Sequence, residues 1–306
     1  MSVTIKSNVK ATANLKYAVR DNLLKVFATN SNNVDGIFLF SLDDVNCFAK
    51  QASPVVDDTV LNLADGTSKL TYRTITSNGS VSFDSVTRSL DFSALNVGLS
   101  GFSTPANWLA NEFNGQNKYF IMTAYVFIPE AANWHAKSGG LVDFAGTITS
   151  ADSAQQTEIL GAIAFIHHPS DAAEYQIWGR YSTSANPSGA YTGLQLTSVA
   201  NNANFPFGKW AQISLVRSAA GSYLLINSSL GKLKTTVLTD TSGKDVVEQY
   251  GGRLNFGRGK AYPNTLTNKY KLSRGFIINL NKNPVSDIDA FLKADFDRQV
   301  ARGFIS

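Results

Sequence analysis

The stretch FGKWAQISLVRSAAGSYLLINSSLGKL, residues 207–233, decides how the rest of the chain is read. Its two apolar runs are each too short for a helix, and the small residues Ser218-Ala219-Ala220-Gly221 separate them. Ile213 and Leu215 sit two apart, as do Tyr223 and Leu225, and Trp210 opens the first run. A period of two describes neighbouring antiparallel strands, and these alternate side chains are expected to fill the space between two sheets.

The same signature extends in both directions. Runs at 36–42, 69–76, 80–85, 88–94, 118–129, 140–146, 159–166, 174–182, 252–259 and 270–280 are short and alternating or wholly apolar. Gly, Asn, Ser or Pro separates nearly every pair, and GKLKTTVL (231–238) continues the series after the opening stretch. About a dozen short strands with turn signals between them predict an all-β, two-sheet antiparallel sandwich. There is no strand–helix–strand rhythm, which excludes α/β folds, and no internal repeat.

A helix is predicted at each end. Leu15, Val19, Leu23, Val26 and Phe27 recur at helical spacing behind Thr12, a suitable N-cap, and the preceding VTIKSNV reads as an extended arm. Residues 1–50 are therefore read as an arm and helix for anchoring or oligomerisation, and 51–306 as the sandwich domain. The first helix has two readings, packed on its own domain or docked on a neighbouring subunit. Charge is unevenly laid out: residues 1–30 carry five Lys or Arg against Asp21, whereas 31–65 carry Lys50 against six Asp. Near the C-terminus Ile288, Phe291, Leu292, Phe296 and Val300 mark one face of a helix over 286–302. Ser286 with Asp289 three residues on resembles a capping box, and Gly303 is placed to stop the helix.

Composition narrows the classes further. Charged residues make up 16% of the 306, and Glu occurs only at 112, 130, 158, 174 and 248. The polar surface is thus built from Asn, Ser, Thr and Gly, which excludes coiled coils, helical bundles and disorder. Cys47 is the only cysteine, so there is no intrachain disulfide and no cysteine-based zinc or iron–sulfur site. The chain opens without the apolar run of a signal peptide and has no stretch of 18 apolar residues, so a soluble product without membrane insertion is expected. A net charge of +4 is modest for this length, and no nucleic-acid partner is expected.

Four stretches, in order, resemble the laminin-G-like, concanavalin-A-like jelly roll over roughly residues 70–300. SVSFDSVTRSLDFSA (80–94) resembles the family's early strand pair, and KYFIMTAYVFIP (118–129) its long strand, with Tyr125 where Trp is common. Residues 207–233 resemble the hairpin whose Trp plugs between the sheets. GRLNFGRG (252–259) followed by YKLSRGFIINLNKNPVSDIDAFL (270–292) resembles the closing strands, with Gly257 and Gly259 at tight turns. Two departures stand out: the last strand lacks the usual following Asp, and Asn227-Ser228 replaces Asn-Gly. The resemblance implies a jelly-roll sandwich. It also raises calcium, which many members hold with loop carboxylates; Asp143, Asp152 and Asp171 are loop candidates, without supporting spacing. No cofactor is therefore expected.

Chemistry-bearing constellations are sparse. Sandwich glycosidases of this class carry two Glu and an Asp alternating on one strand, whereas no two Glu here lie closer than sixteen residues. The three histidines, His135, His167 and His168, make a poor metal set because adjacent residues point to opposite sides. No metal site and no enzyme activity are expected. Glycan binding needs exposed aromatic rings beside amides and hydroxyls, and the loop candidates are Trp108, Trp134, Tyr181, Tyr191 and Tyr262, with Trp178 and Trp210 assigned to the core. Residues 251–282 carry no Asp or Glu, and Arg253, Arg258, Lys260, Lys269, Lys271 and Arg274 are candidates for a basic contact strip. A solvated outer face competes with that reading.

The Asn/Ser/Thr/Gly-rich, Glu-poor surface and the fold together resemble bacteriophage virion proteins, where such domains recur in tail, baseplate, fibre and capsid-decoration components. The resemblance implies a virion structural protein anchored by its N-terminus, partnered by other virion subunits and copies of itself, and displaying the jelly roll for cementing or for host surface polysaccharide. A free carbohydrate-binding protein is the alternative, and a polysaccharide-degrading enzyme follows it.

Overall fold

The computed structural model describes residues 21, 23, 35–95, 97–113, 119–134, 141–148, 161–167, 175–182, 191–198, 203–239, 253–259, 261–262, 269–303 and 305. The helix expected behind Thr12 lies outside them, except for Asp21 and Leu23. Every strand pair is antiparallel, and two sheets result. One sheet runs β14 (Gly231–Lys234), β13 (Gly221–Ser228), β12 (Trp210–Ser218), β7 (Phe120–Phe127), β17 (Lys271–Asn279), β5 (Ser89–Asp91), β4 (Ser82–Asp84), with β1 (Ile37–Ser41) also on β17. The second runs β11 (Tyr191–Ser198), β10 (Tyr175–Ser182), β9 (Ala162–His167), β8 (Leu141–Ile148), β15 (Arg253–Arg258), β6 (Val97–Ser103), β3 (Lys69–Asn78), β2 (Thr59–Leu61), with β16 (Ala261–Tyr262) on β8. This is the predicted all-β jelly-roll sandwich. β1 lies on the arm side of the boundary expected at residue 50, yet it is hydrogen-bonded along β17 from Ile37–Ile278 to Ser41–Arg274, so the sandwich begins earlier.

The opening hairpin forms as predicted, pairing Ala211 with Ser228 at one end and Ser218 with Gly221 at the other. Its facing differs. A Cβ at Gly179 of the second sheet would meet Leu215 and Leu224, so Leu224, rather than Tyr223 and Leu225, points between the sheets. Both sets are buried all the same, because the first sheet is covered on its outer side too. The interior is filled by aromatic pairs, among them Phe40 with Phe256 at 4.9 Å and Phe92 stacked on Tyr270 at 4.7 Å. Gly275 on β17 makes room for them, since a Cβ there would come within 2.7 Å of both Phe256 and Phe40. Gly257, expected at a turn, lies inside β15 at φ +126°, where a Cβ would stand 2.7 Å from Gly101 on β6.

Two α-helices are present among the described residues. α1 (Trp108–Phe113) carried no periodic signal of its own. α2 (Ile288–Ala301) is the predicted C-terminal helix, with Asp287 rather than Ser286 as N-cap, its side chain accepting the Ala290 N–H at 2.9 Å. Phe291, Leu292 and Phe296 are buried as expected, but Val300 is 42% exposed and Asp295 and Gln299 are buried instead.

That exchange has a cause on the sheet beneath. Asn227, Gln212, Tyr125, Arg274 and Ser41 stand side by side across β13, β12, β7, β17 and β1. Asn227 donates to Gln212 at 2.8 Å, Gln212 to the Tyr125 hydroxyl at 2.7 Å, and that hydroxyl to Asp295 at 2.7 Å. Arg274 donates to Asp295 at 3.2 Å and to both oxygens of Asp21 at 2.6 and 3.2 Å. Carboxylates around a buried guanidinium offset the cost of its burial, and the helix turns Asp295 inward to Arg274. Asp21 and Leu23 are themselves buried on this face, and the rest of that segment lies outside the described residues.

Candidate ligand-binding cleft

Where the N-terminus of α2 passes over the β12–β13 turn and β14, it leaves an open cleft of about 790 Å³. Its walls come from Ser218–Ala220 in the turn, Tyr223 on β13, Lys234 on β14, and Pro284–Asp289 entering α2, with Tyr119 before β7. Strand pairing explains the juxtaposition. Lys234 is opposite Leu225, so it lies diagonal to Tyr223 on the same face, with its Nζ 3.8 Å from the ring centroid. Asp289, in the first turn of α2, accepts from Lys234 at 2.8 and 3.0 Å and from Lys232 at 3.4 Å.

Burial raises the Asp289 carboxyl, but hydrogen bonds from Lys234, Tyr223 and Lys232 outweigh it and hold the group below the usual carboxylate range. For Tyr223, burial and then the bond to Asp289 push the phenol upward, so it stays a neutral donor. Val237, Leu280, Val285 and Ile288 supply the apolar part of the walls, and Ser218 and Ser286 supply hydroxyls. Size, apolar walls and a few convergent polar groups are the usual attributes of a small-ligand site.

Of the aromatic candidates read from the sequence, Trp108, Trp134 and Tyr181, whose side chains are described, do not line this cleft. Trp134 and Tyr181 were expected in exposed loops, and both are buried, at 6% and 2% exposure. Trp134 is enclosed by Phe165 at 4.8 Å and Tyr175 at 5.5 Å, with Phe205 and Phe207 beyond, closing one end of the sandwich. Tyr181 belongs to β10 and lies under the Arg217 guanidinium at 4.9 Å. Trp108 is half-buried on α1, edge-on to Phe38 at 5.4 Å. Tyr191 opens β11 and Tyr262 ends β16; their side chains lie outside the described residues. Trp210 is in the core as expected, whereas Trp178 is half-buried beside Arg180.

The basic strip does not form a continuous solvated face. Arg258 and Arg274 are buried, the first donating to the Leu95 carbonyl at 2.8 Å, the second held by Asp21 and Asp295. Lys271 pairs with Asp84 at 2.6 Å, and Arg253 donates to the Thr104 carbonyl at 3.2 Å. Lys269 is exposed, and Lys260 lies outside the described residues. The residue pattern 251–282 looked acid-free only because the matching carboxylates come from distant parts of the chain. Asp143, offered for calcium, is buried on β8 with the Arg180 guanidinium 3.4 Å away, and Asp152 and Asp171 lie outside the described residues. Among the described residues no three His, Cys, Asp or Glu gather as a metal ion would require. No described helix is long and apolar enough to cross a membrane.

The cleft residues were missed because each looked structural in sequence. Tyr223 read as core, and Asp287 and Asp289 as helix-start residues. Only the pairing of β13 with β14 and the passage of α2 above them bring the set together.

No protein-family model and no curated protein sequence matches this chain. Solved structures do. The binding domain of botulinum neurotoxin DC, solved with rat synaptotagmin II, aligns at TM-score 0.50 and 10% identity, covering 80% of this chain and 50% of that one. The likeness is one of fold. This chain thus spans about half the length of that binding domain. Weaker matches include tailspike protein 2 from Escherichia coli O157:H7 bacteriophage CAB120, at TM-score 0.43, 10% identity and 70% and 26% coverage. The Emp47p carbohydrate recognition domain matches at TM-score 0.38 and 7% identity, covering 76% of this chain and 96% of that one.

Proposed function

We propose that this chain is a carbohydrate-binding jelly roll, carried as a structural component of a bacteriophage particle, and that the cleft beside α2 holds the sugar. One observation carries the binding part: Tyr119, the Asp289–Lys234 pair and serine hydroxyls line one cleft together with apolar side chains, offering both acceptors and donors. Sugar rings present apolar C–H faces and a rim of hydroxyls, which is what such a lining complements. The neutral hydrogen-bonding surface and the scarcity of Glu support the particle role, because burying Lys and Glu between subunits costs desolvation.

Binding is proposed to occur without cleavage. Glycoside hydrolysis needs one carboxylic acid kept protonated by a raised pKa. The carboxyls lining the cleft belong to Asp287 and Asp289, and Asp289 is shifted the opposite way.

A glycan array followed by calorimetry tests the reading. Tyr119→Ala and Lys234→Ala should each weaken a retained oligosaccharide by tenfold or more, about 1.4 kcal/mol, with the fold intact by circular dichroism. Absence of binding across bacterial surface polysaccharides, or full binding in both variants, would overturn it. For the particle role, deleting residues 1–20, which leaves Asp21 and Leu23 in place, should abolish incorporation into purified virions, and a chain that never co-purifies with particles would leave the free carbohydrate-binding protein.

A further inference from the structure

The large apolar side chains that are more than half exposed among the described residues all fall in two loops. Val45, Val55 and Val56 lie between β1 and β2, and Val86, at 90% exposure, lies in the β4–β5 turn. The loops are tied into one surface. The Phe83 N–H donates to the Ser53 hydroxyl at 3.1 Å, Arg88 donates to the Asp43 carbonyl at 3.2 Å, and the Phe48 and Phe83 rings stand 5.5 Å apart. Single exposed valines are ordinary, whereas a gathered set marks an interaction site.

The backbone that presents them is held in a costly shape. Four described non-glycine residues have left-handed φ, and three belong to these loops: Gln51 at +44°, Asp57 at +70° and Arg88 at +47°. Such residues persist only where their surroundings over-determine them. The Gln51 amide donates to the Leu42 and Phe48 carbonyls at 2.7 and 2.8 Å, and Arg88 braces the turn against Asp43. A surface fixed in this way loses little freedom on binding.

Charge selects the partner. Lys50 pairs with Asp58, Lys271 with Asp84 and Arg302 with Asp43, while Asp44 accepts the backbone and side-chain N–H groups of Asn46 within its own turn. Arg88 and Asp57 are left, both exposed and without an ion pair among the described residues. An acidic partner would answer one and a basic partner the other. A second copy answers both, because a two-fold axis can bring Arg88 of each copy to Asp57 of the other.

We infer that this end of the sandwich is a self-association face, on which two copies pack valine against valine about a two-fold axis. The inference extends the particle reading and makes no use of the cleft.

The test is analytical ultracentrifugation of the full chain from about 1 to about 300 μM. A patch of this size belongs at the small, weak end of interfaces, so a dimer with a dissociation constant of about 10–100 μM is expected. Val55→Asp and Val86→Asp should each weaken it tenfold or more with the fold intact by circular dichroism. Leu230→Ser, which removes an exposed apolar side chain between β13 and β14, should leave it unchanged. Arg88→Glu and Asp57→Lys should each fail to self-associate, because like charges then meet, and should pair with one another when mixed. A monomer over the whole range, a dimer indifferent to both valine variants, an equal loss in Leu230→Ser, or no pairing on mixing overturns the inference. The glycan and virion experiments stand apart from all four outcomes, since neither depends on this surface.

Discussion

Replacing Arg274 by Met separates charge from packing in the layer that covers the first sheet. Arg274 is 2% exposed, and its guanidinium is shared between Asp21 and Asp295. Methionine keeps an apolar stem but supplies no cation. Asp295 would retain Arg298 at 3.3 Å and the Tyr125 hydroxyl, whereas Asp21 would lose the guanidinium that holds both its oxygens. Removing one partner of a buried pair costs about 3–5 kcal/mol; a value near 4 kcal/mol is roughly a thousandfold in the folding constant. The pH dependence carries the sharper test. In the parent, burial raises the Asp21 carboxyl, but the Arg274 charge and hydrogen bonds outweigh it and hold the group below its ordinary value. That stabilisation is complete above the unfolded value of about 3.9 and is lost only as pH falls through the lower folded value. In the variant burial is opposed only by the Leu23 N–H and the Arg302 charge, so the folded value is expected to rise above the unfolded one and acidification to restore stability. Urea unfolding followed by tryptophan fluorescence should therefore show a parent nearly flat between pH 7 and 5 and a variant that strengthens over the same interval. A variant with the parent's midpoint at pH 7, or with the parent's pH slope, would refute the argument. Replacing Asp21, Arg274 and Asp295 together by apolar residues should recover most of the loss, because whole buried ionic clusters exchange for apolar ones at little net cost.

Three further outcomes are expected. Gly275→Ala should lower stability by about 1–3 kcal/mol in thermal unfolding, since its Cβ would press on Phe256 and Phe40 where the two sheets meet; an unchanged transition would mean that the sheets part more easily than their packing indicates. Cys47 is 3% exposed, and burial pushes its thiol up to about 12, so iodoacetamide at pH 8 should leave it unmodified until urea unfolds the chain, as read by mass spectrometry. Trp134→Ala should cost about 3–5 kcal/mol by emptying its aromatic cluster and leave oligosaccharide affinity unaltered; loss of binding with stability unchanged would move the site away from the cleft.

Much of the fold was legible because period-two alternation and turn residues are local properties. The hairpin at 207–233 and the helix opened by Asp287 follow from them within a residue or two. Strands such as β6, VGLSGFS, were not legible, because Gly and Ser dilute the apolar signal; Gly101 is there so that β15 can approach, which is a fact about β15. The candidate site was less legible still. Trp134 and Tyr181 have the composition of binding residues and the burial of core residues, and burial depends on what packs over them. Tyr223, Lys234 and Asp289 are ordinary one at a time.

The class was readable from the chain alone: an antiparallel sandwich with few charges, no two Glu closer than sixteen residues, and a C-terminal helix with an apolar face. Those follow from composition and short-range spacing, which each segment carries alone. Where charges are answered became visible only with the fold. Arg274 meets Asp21 from 253 residues away and Asp295 from 21, and Lys234 meets Asp289 from 55. Ion pairing depends on distance in space, which falls off in strength over a few ångströms whatever the separation along the chain, so a strip that is acid-free in sequence becomes neutralised, and partly buried, once the sheet is covered.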